Sequence, residues 1–378
     1  MVTHGHRAVV PVLLAMLVML LFGQSVFYGF AYDDHAIIES NVVLGDWSTI
    51  WEALTSDLFH NSQVRASPFW RPMVTLSYYI DASIERGPMQ GHLTNLVFAW
   101  VLSWSFYRFL VIAGYTIGLS LAGTVLLICH PILVEPVVNI TSRTDLMAAT
   151  FALLALTSSG KRRVVLFVML ALLSKEVAIV LPLMFIALGR RSAAKISALT
   201  VGLFLVLRAL IGLSGGLGDV SFSSGQILEA GAHFWLQSLY LLLPNTSTVG
   251  QSMPALGLTS SLLGWLVVVS FGGLLGLYWQ RLPKFVRLAG VTTIPTILLV
   301  SGITGSSVRV GDGLLLFPLL GLLWLLMAGV GVVGKRGQAF AMLSLLCLSV
   351  WSRSGASPAW RDDTTLWQRA YEQSPEDP

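Results

Sequence analysis

Long apolar runs alternate with short polar segments along the whole chain. A helix that crosses a membrane needs about 20 mostly apolar residues, so the runs predict about 11 transmembrane helices. Runs such as 146–159 and 163–174 are shorter, which predicts tilted helices or ends that differ by a few residues. The predicted spans are 9–29, 93–112, 114–129, 146–159, 163–174, 176–189, 197–213, 260–279, 288–304, 314–333 and 338–351.

One further segment, 229–243, has a mixed pattern. It contains Glu229, His233 and Gln237 among apolar and aromatic residues and ends at Pro244. Such a mixture is typical of a helix that lies on the membrane surface. We therefore predict an interfacial helix here, within a longer outer segment, 214–259.

The composition supports a polytopic all-α membrane protein. Of 378 residues, 55% are hydrophobic and 11% are charged, whereas soluble proteins have roughly a quarter charged residues. This excludes an ordinary soluble enzyme and a protein with a single anchor. Cys129 and Cys347 lie in apolar runs without metal-ligand spacing. The first apolar run is too long for a signal-peptide core and is predicted to be a retained span.

The charges predict the orientation. With the N-terminus in the cytoplasm and 229–243 not crossing, thirteen basic residues and no acid lie on the cytoplasmic side, and all 19 acids lie outside. Basic residues accumulate in cytoplasmic loops, so the net charge of +4 reflects orientation and does not indicate nucleic-acid binding. The C-terminus is then extracytoplasmic.

The polar side chains are concentrated in three outer segments. We call 31–92 the first outer loop, 130–145 the second outer loop and 352–378 the tail, and residues 1–351 form one predicted membrane domain. Because the cytoplasmic segments are short basic turns, the predicted chemistry lies on the outer face.

An acidic pair directly follows the first span. Asp33 and Asp34, with His35 beside them, follow the C-terminal end of this helix. A carboxylate here can act as a general base towards a hydroxyl or hold a divalent metal with its neighbour. The alternative is a solvated acidic turn that ends the helix.

Two further segments combine cations with other polar groups. Arg71, between Trp70 and Pro72, is either a phosphate ligand or an interfacial anchor. The second outer loop carries either a binding site or a self-satisfied polar loop in which Arg143 and Asp145 pair. Pro131 and Pro136 make a continuous helix improbable there. The candidate residues of this loop are His130, Glu135, Asn139, Arg143 and Asp145.

Three ionisable residues complete the set. Lys175 and Glu176 lie between two short spans, where they are either functional or merely paired with each other. Arg309 precedes a late span and is either a ligand or a snorkelling interface charge. Together the candidates predict one outer site that suits an anionic lipid headgroup and a neutral hydroxyl acceptor.

These motifs, in this order, resemble the transmembrane O-mannosyltransferases that carry tetratricopeptide repeats, which belong to the GT-C class of glycosyltransferases. The tail is similar to the short connector that leads into the repeats of that family. The residues that carry the resemblance are Phe30, Tyr32, Asp33, Asp34, Ile38, Asn41, Arg71, Pro72, His92, Asn95, the series from His130 to Leu146, Ser174, Lys175, Glu176, Pro182 and the segment from Trp360 to Pro375.

The resemblance implies a GT-C-like fold and an inverting transfer of a sugar, mannose in this family, from a polyprenyl- or dolichyl-phosphate carrier to a protein or glycan hydroxyl. It implies that Asp33 or Asp34 is the base, that His130 and Glu135 shape the site, and that cations bind the phosphate. These cations are Arg71, Arg143, Lys175 and Arg309. Asp312-Gly313-Leu314 differs from the Glu–Arg–Tyr-like segment of the family, so one phosphate-binding role is unassigned.

The expected partners follow from this reaction. They are the lipid-linked sugar and an acceptor. Because the chain stops where repeats would begin, the alternatives are a truncation, an older minimal form, or a subunit whose tetratricopeptide-repeat partner is a separate protein. A metal is allowed but not required. The composition of the spans favours a bacterial inner membrane over the endoplasmic reticulum. The alternative function is a catalytically inactive scaffold that binds a repeat protein or a lipid.

Overall fold

A computed structural model of the protein shows a helical architecture. It describes residues 4–62, 69–212, 224–242, 251–252, 257–301, 309–310, 312–330, 332–334, 337–339, 342–344, 346–347, 350 and 356–373. Within these ranges, the extended structure is a two-residue antiparallel ladder between β1 (Gln251–Ser252) and β2 (Arg309–Val310). The predicted all-helical class is therefore confirmed for the part of the chain that is described.

The α-helices follow the apolar runs closely. They are α1 (His4–Phe22), α2 (Ile50–Thr55), α3 (Pro72–Ile84), α4 (Pro88–Ile112), α5 (Ile117–Cys129), α6 (Val134–Val138), α7 (Arg143–Thr157), α8 (Lys161–Leu172), α9 (Leu181–Ala187), α10 (Arg191–Leu210), α11 (Ser224–Leu242), α12 (Leu258–Leu277), α13 (Lys284–Val300), α14 (Leu316–Val330), α15 (Ala356–Ala359) and α16 (Asp363–Gln373).

Shorter helical turns connect several of these helices. Two of them lie in the first outer loop and one lies directly before α9. The turns are 3-10 helices at Gly23–Phe27, Trp47–Thr49, Pro131–Leu133, Glu176–Val180 and Asp312–Leu315, and a π-helical turn at His35–Glu39.

The second outer loop breaks a helix, as its prolines predict. α5 ends at Cys129, and the helical segment Pro131–Val138 is bent by 63° from it. Proline removes a backbone N–H and clashes with the preceding turn, so the helix does not run on through Pro131. Residues 139–142 then connect α6 to α7, and this connection carries the polar groups of the candidate site.

Two apolar clusters hold the fold together. The larger one joins the long helices through side chains such as Phe106, Phe185 and Trp324. The smaller one, with Val74 and Tyr78 at its centre, lies between the first and second outer loops. The smaller cluster therefore packs next to the polar residues where the two loops meet.

The outer faces of the long helices indicate a membrane protein. Four helical segments in the described part of the chain are long and apolar enough to cross a membrane, or up to five if the bent pair at His130 counts as one span. The segment Leu258–Leu277 is strongly apolar, yet only 11% of it is buried inside the protein, so its exposed face suits lipid. The predicted count of about 11 is not confirmed. α11, which covers the predicted interfacial helix, is not among the spanning candidates.

Clusters of basic residues stand where helices begin. Lys161 begins α8, Arg191 begins α10 and Lys284 begins α13. Cations at a helix N-terminus oppose the helix dipole, so helix stability does not account for this placement. The predicted cytoplasmic location of these turns would account for it, because basic residues accumulate in cytoplasmic loops.

The predicted orientation can be tested by cysteine labelling. We expect a membrane-impermeant maleimide added outside the cell to label Glu372→Cys in α16 but not Lys284→Cys in the turn before α13, because the membrane lies between these exposed positions. The background is Cys347→Ser, because Cys347 is exposed. Labelling of Lys284→Cys from outside in intact cells would contradict the orientation.

Candidate active site

The acidic pair lies on a strained turn after the first apolar helix. Tyr32 has φ 58°, a left-handed conformation that non-glycine residues rarely adopt. The backbone then enters the π-helical turn at His35–Glu39. Asp34 is buried, with 1% of its surface exposed, whereas Asp33 is half-buried. The two neighbouring carboxylates therefore have different surroundings.

Asp34 joins the two outer loops. Its Oδ1 accepts a hydrogen bond of 2.9 Å from the backbone N–H of Thr141. Its Oδ2 accepts one of 3.3 Å from the backbone N–H of Ala31. One carboxylate thus fixes the start of the first outer loop and the middle of the second.

The burial of Asp34 changes its acidity. Burial raises the pKa of this carboxyl to about 7, although the hydrogen bonds from Thr141 and Ala31 act in the opposite direction. Loss of hydration disfavours the charged form. At neutral pH Asp34 is therefore partly protonated.

The second outer loop is held from several sides around Thr141. Asn139 accepts hydrogen bonds from the backbone N–H and the hydroxyl of Thr141 through its side-chain oxygen. Asn95 of α4 donates to the backbone oxygens of Val137 and Asn139. The hydroxyl of Tyr78 donates to the Thr141 carbonyl at 3.3 Å. These bonds satisfy the polar backbone of a loop buried among apolar helices.

Arg143 is completely buried and saturated with partners. Its Nε donates to the Asn95 side-chain oxygen at 2.7 Å, and its two terminal nitrogens donate to the Ser77 hydroxyl and the Gly91 carbonyl, each at 2.9 Å. Its Nη1 also lies 2.6 Å from an Asp81 carboxylate oxygen. This guanidinium therefore ties α7 to α3 and α4.

Lys175 forms a second closed pair. Its Nζ lies 2.6 and 2.7 Å from the two carboxylate oxygens of Asp145, and both residues are buried. The local pairings considered from the sequence, Arg143 with Asp145 and Lys175 with Glu176, are wrong. The charges pair across helices instead, because the break at Pro131 and the fold of α7 bring distant partners closer than neighbours in the chain.

Glu176 lies between two arginines in a more open arrangement. Its carboxylate oxygens lie 3.3 Å from Arg71 and 3.3 Å from Arg208. Arg71 precedes Pro72, the first residue of α3, and its guanidinium lies 4.5 Å over the Phe69 ring. Its Nε is buried and has no hydrogen-bond partner.

The lengths of these ion pairs divide the cations into two groups. Charge-assisted hydrogen bonds are strongest at about 2.7–2.9 Å, and the pairs of Arg143 and Lys175 lie at 2.6 Å. The pairs of Glu176 are longer, and a quarter of its side chain, 26%, is exposed. The cluster of Arg71, Glu176 and Arg208 therefore has the longer and more exposed ion pairs of the two groups.

Arg208 is not among the candidate residues predicted from the sequence. It lies in the last turn of α10 and is buried. An ionisable residue inside an apolar run is a functional candidate by itself, and this signal was present in the run 197–213. The stacking of Trp70 on Phe204, at 5.7 Å, brings Arg208 to Arg71.

Tyr78 relates the acidic pair to this cluster. Burial raises the pKa of its phenol, and the charges of Arg143, Asp34 and Arg71 also act on it. Its hydroxyl also donates to the Thr141 carbonyl, so Tyr78 joins α3 of the first outer loop to the second outer loop.

His35 connects the acidic segment to α16. Its Nδ1 lies 2.5 Å from a Glu39 carboxylate oxygen, and its Nε2 lies 3.2 Å from one of Asp363. Its partial burial lowers the pKa of the imidazole, but the hydrogen bond with Glu39 and the charge of Asp363 raise it by more. His35 thus lies between two acids, which favour its charged form.

The other predicted site residues have supporting contacts or lie outside the described side chains. His130 accepts a hydrogen bond from the Ile132 backbone through Nδ1, and Glu135 accepts one of 3.2 Å from Ser142. Arg309 pairs with Ser252 through the backbone, and its side chain lies outside the described part. Among the described residues, no three acidic, His or Cys side chains gather as a metal site would require, and the allowed metal stays a prediction.

Comparisons with known proteins confirm the predicted resemblance. A Caenorhabditis elegans protein O-mannosyl-transferase is 26% identical over 158 residues, which are 39% of this chain and 23% of that protein. The protein O-mannosyl-transferase TMTC3 of Mus musculus is 28% identical over 156 residues (40% and 17%), and that of Homo sapiens is 27% identical over 149 residues (39% and 16%).

The matched stretch thus spans 16–23% of the length of these relatives. No family model matches the chain, and no solved structure does. The names of the relatives support a protein glycosyltransferase at the level of the family, in a protein whose apolar helices indicate a membrane location.

The acidity of Asp34 predicts a pH-dependent stability. The folded protein keeps Asp34 protonated up to about pH 7, whereas an unfolded Asp titrates near 3.8. The stability that this group contributes is full below the unfolded pKa and is lost as the pH rises through 7, with a slope of up to about 1.4 kcal/mol per pH unit. We expect the thermal unfolding midpoint in detergent to fall from pH 5 to pH 8, and to fall less in Asp34→Asn.

Asp46→Asn is the matched control in the same outer loop. The hydrogen bonds from Ser48 lower the pKa of Asp46, so this residue does not titrate between pH 5 and pH 8. The charge of Asp34 contributes to the raised pKa of His35, so His35 carries part of the difference between wild type and Asp34→Asn. An identical pH dependence in wild type and Asp34→Asn would show that Asp34 does not titrate in this range.

Proposed function

We propose that the protein is a membrane glycosyltransferase that transfers mannose from a polyprenyl- or dolichyl-phosphate carrier to a Ser/Thr or glycan hydroxyl outside the cytoplasm. The observation that carries the proposal is that the first outer loop contains both a half-buried carboxylate, Asp33, and an arginine, Arg71, that shares a partly exposed acid with Arg208. The similarity to proteins named O-mannosyl-transferase supports the reaction type.

Asp33 is the base in this proposal. A general base must come within hydrogen-bonding distance of the proton that it removes, and Asp33 is the more accessible of the two acids. Asp34 has both carboxylate oxygens engaged by backbone N–H groups. Because Asp34 is partly protonated at neutral pH, it adds little repulsion to the charge on Asp33. Asp34 positions the segment, and Asp33 accepts the proton.

The reaction is a single displacement at the sugar. The acceptor oxygen attacks the anomeric carbon while Asp33 takes the hydroxyl proton, and the bond from that carbon to the phosphate oxygen breaks. The attack occurs from the face opposite to the leaving group and therefore inverts the anomeric configuration. The electron pair of the broken bond stays on the phosphate.

Arg71 and Arg208 bind this phosphate. A planar guanidinium matches phosphate oxygens through paired hydrogen bonds, and cations placed where negative charge develops stabilise the transition state. Glu176 orients the two arginines while no lipid is bound. Arg143 and Lys175, which the resemblance offers as phosphate ligands, hold the helices instead, because their donors are already engaged with short, buried contacts.

The role of the base predicts a large loss on substitution. We expect Asp33→Asn to lower kcat by about 100-fold or more, the range for removal of a general base, in proteoliposomes that contain polyprenyl-phosphate mannose and a Ser/Thr-rich peptide. Retained binding of the lipid would show that the variant is folded. Asp46→Asn, in the same outer loop, is expected to retain activity. Full activity in Asp33→Asn would exclude this residue as the base.

The arginine cluster predicts a second effect in the same assay. Arg71→Ala and Arg208→Ala are each expected to lower kcat/KM for the lipid donor by about 100-fold, because each removes a donor to the developing charge. The control is Arg108→Ala, an exposed arginine of α4 that contacts Trp104 and lies far along the helix from the site. A loss in the control equal to that in Arg208→Ala would contradict the assignment.

The same assay separates the proposal from the scaffold alternative. A scaffold would bind lipid or a repeat protein without transfer. If wild-type protein transfers no sugar from any lipid carrier, even with a candidate repeat protein added, the function as an enzyme is wrong.

A further inference from the structure

The last described helix, α16, contacts the segment that carries the acidic pair. The Gly29 backbone N–H donates to the Arg361 carbonyl at 2.9 Å, and the rings of Tyr32 and Trp367 lie 5.8 Å apart. Trp360 and Leu366 are buried in the larger apolar cluster. α16 is therefore packed onto the membrane domain and fixed beside Asp33.

Asp363 makes the central contacts. One of its carboxylate oxygens accepts a hydrogen bond of 2.8 Å from the Tyr32 backbone N–H. The other lies 3.2 Å from Nε2 of His35. The carboxylate thus bridges the residues on either side of Asp33 and Asp34, across 331 positions of the chain.

The neighbouring acid, Asp362, makes its contacts within its own segment. Its Oδ1 accepts a hydrogen bond of 2.8 Å from the Thr365 backbone N–H, which caps the start of α16. Because Asp362 caps the helix, the carboxylate of Asp363 is available for the first outer loop. The pattern of contacts assigns one acid to the helix and the other to the acidic segment.

We propose that Asp363 is a positioning residue for the base: it holds the left-handed backbone at Tyr32 and the ring of His35, and so fixes the direction in which Asp33 presents its carboxylate. This inference rests on the proposed function. It makes the tail a part of the active site, in addition to a connector.

The first test measures the contact itself and needs no activity. Hydrogen exchange of peptides that cover residues 28–36 is compared in wild type, Asp363→Ala and Glu372→Ala, in the full chain. Glu372 is an exposed acid in the last turn of the same helix and pairs with Gln368. We expect exchange in this segment to be about tenfold faster or more in Asp363→Ala and unchanged in Glu372→Ala. Unchanged exchange in Asp363→Ala would overturn the inference.

The second test measures the consequence for transfer. We expect Asp363→Ala to lower kcat by at least about tenfold, since small displacements of a reacting group are costly, with an unchanged KM for polyprenyl-phosphate mannose. Asp363→Asn, which keeps an oxygen for the Tyr32 N–H, is expected to recover part of kcat. A normal kcat in Asp363→Ala, or a loss seen only in KM, would overturn the positioning role.

The two tests also separate this inference from the proposed function. If the wild type transfers no sugar, the proposed function fails and the positioning of a base fails with it. If the wild type transfers sugar and Asp363→Ala transfers it equally well, only the role of Asp363 fails.

Discussion

The hydrogen bond from the Thr141 backbone to the buried carboxylate of Asp34 is the interaction on which the candidate site depends. Burial of a carboxylate is costly unless other groups compensate it, and the raised pKa of Asp34 reflects this cost. The compensation comes from backbone N–H groups of both outer loops. The loops therefore take a fixed relation to each other, and Asp33 receives a defined place beside the junction.

The charged groups around this junction separate into structural and open ones. Arg143 and Lys175 are enclosed and make short contacts with acids of other segments. Removal of one partner from such a pair costs about 3–5 kcal/mol, so Arg143 holds α7 to α3 and α4, and Lys175 holds α7 to the segment that follows α8. Arg71 and Arg208 share one partly exposed acid at longer distances. A phosphate would have less to displace there, and this difference supports the proposal that the cluster binds it.

The sequence predicts the local backbone features of the site better than it predicts which charged side chains pair with each other. The break of the helix at Pro131 follows directly from the missing proline N–H, and the helices follow the apolar runs. The partners of Arg143 and Lys175 do not follow from the sequence, because they depend on how α3, α4 and α7 pack. Arg208 carried a readable signal as an ionisable residue in an apolar run. The contact of Asp363 with Tyr32 could not be predicted, since no pattern in either segment of the sequence indicates that the two segments lie together.

The left-handed backbone at Tyr32 affects when, during synthesis of the chain, the acidic turn can reach its final conformation. A left-handed tyrosine costs about 1–3 kcal/mol, and a hydrogen bond to a charged group contributes about 1.5–3 kcal/mol, so the bond to Asp363 is of the size needed to offset the strain. At about 5–20 residues per second, the ribosome adds residue 363 roughly 15–65 s after residue 32. During that interval the acidic turn lacks this contact. The acidic turn would therefore reach its final conformation late in synthesis, after most of the chain has been made.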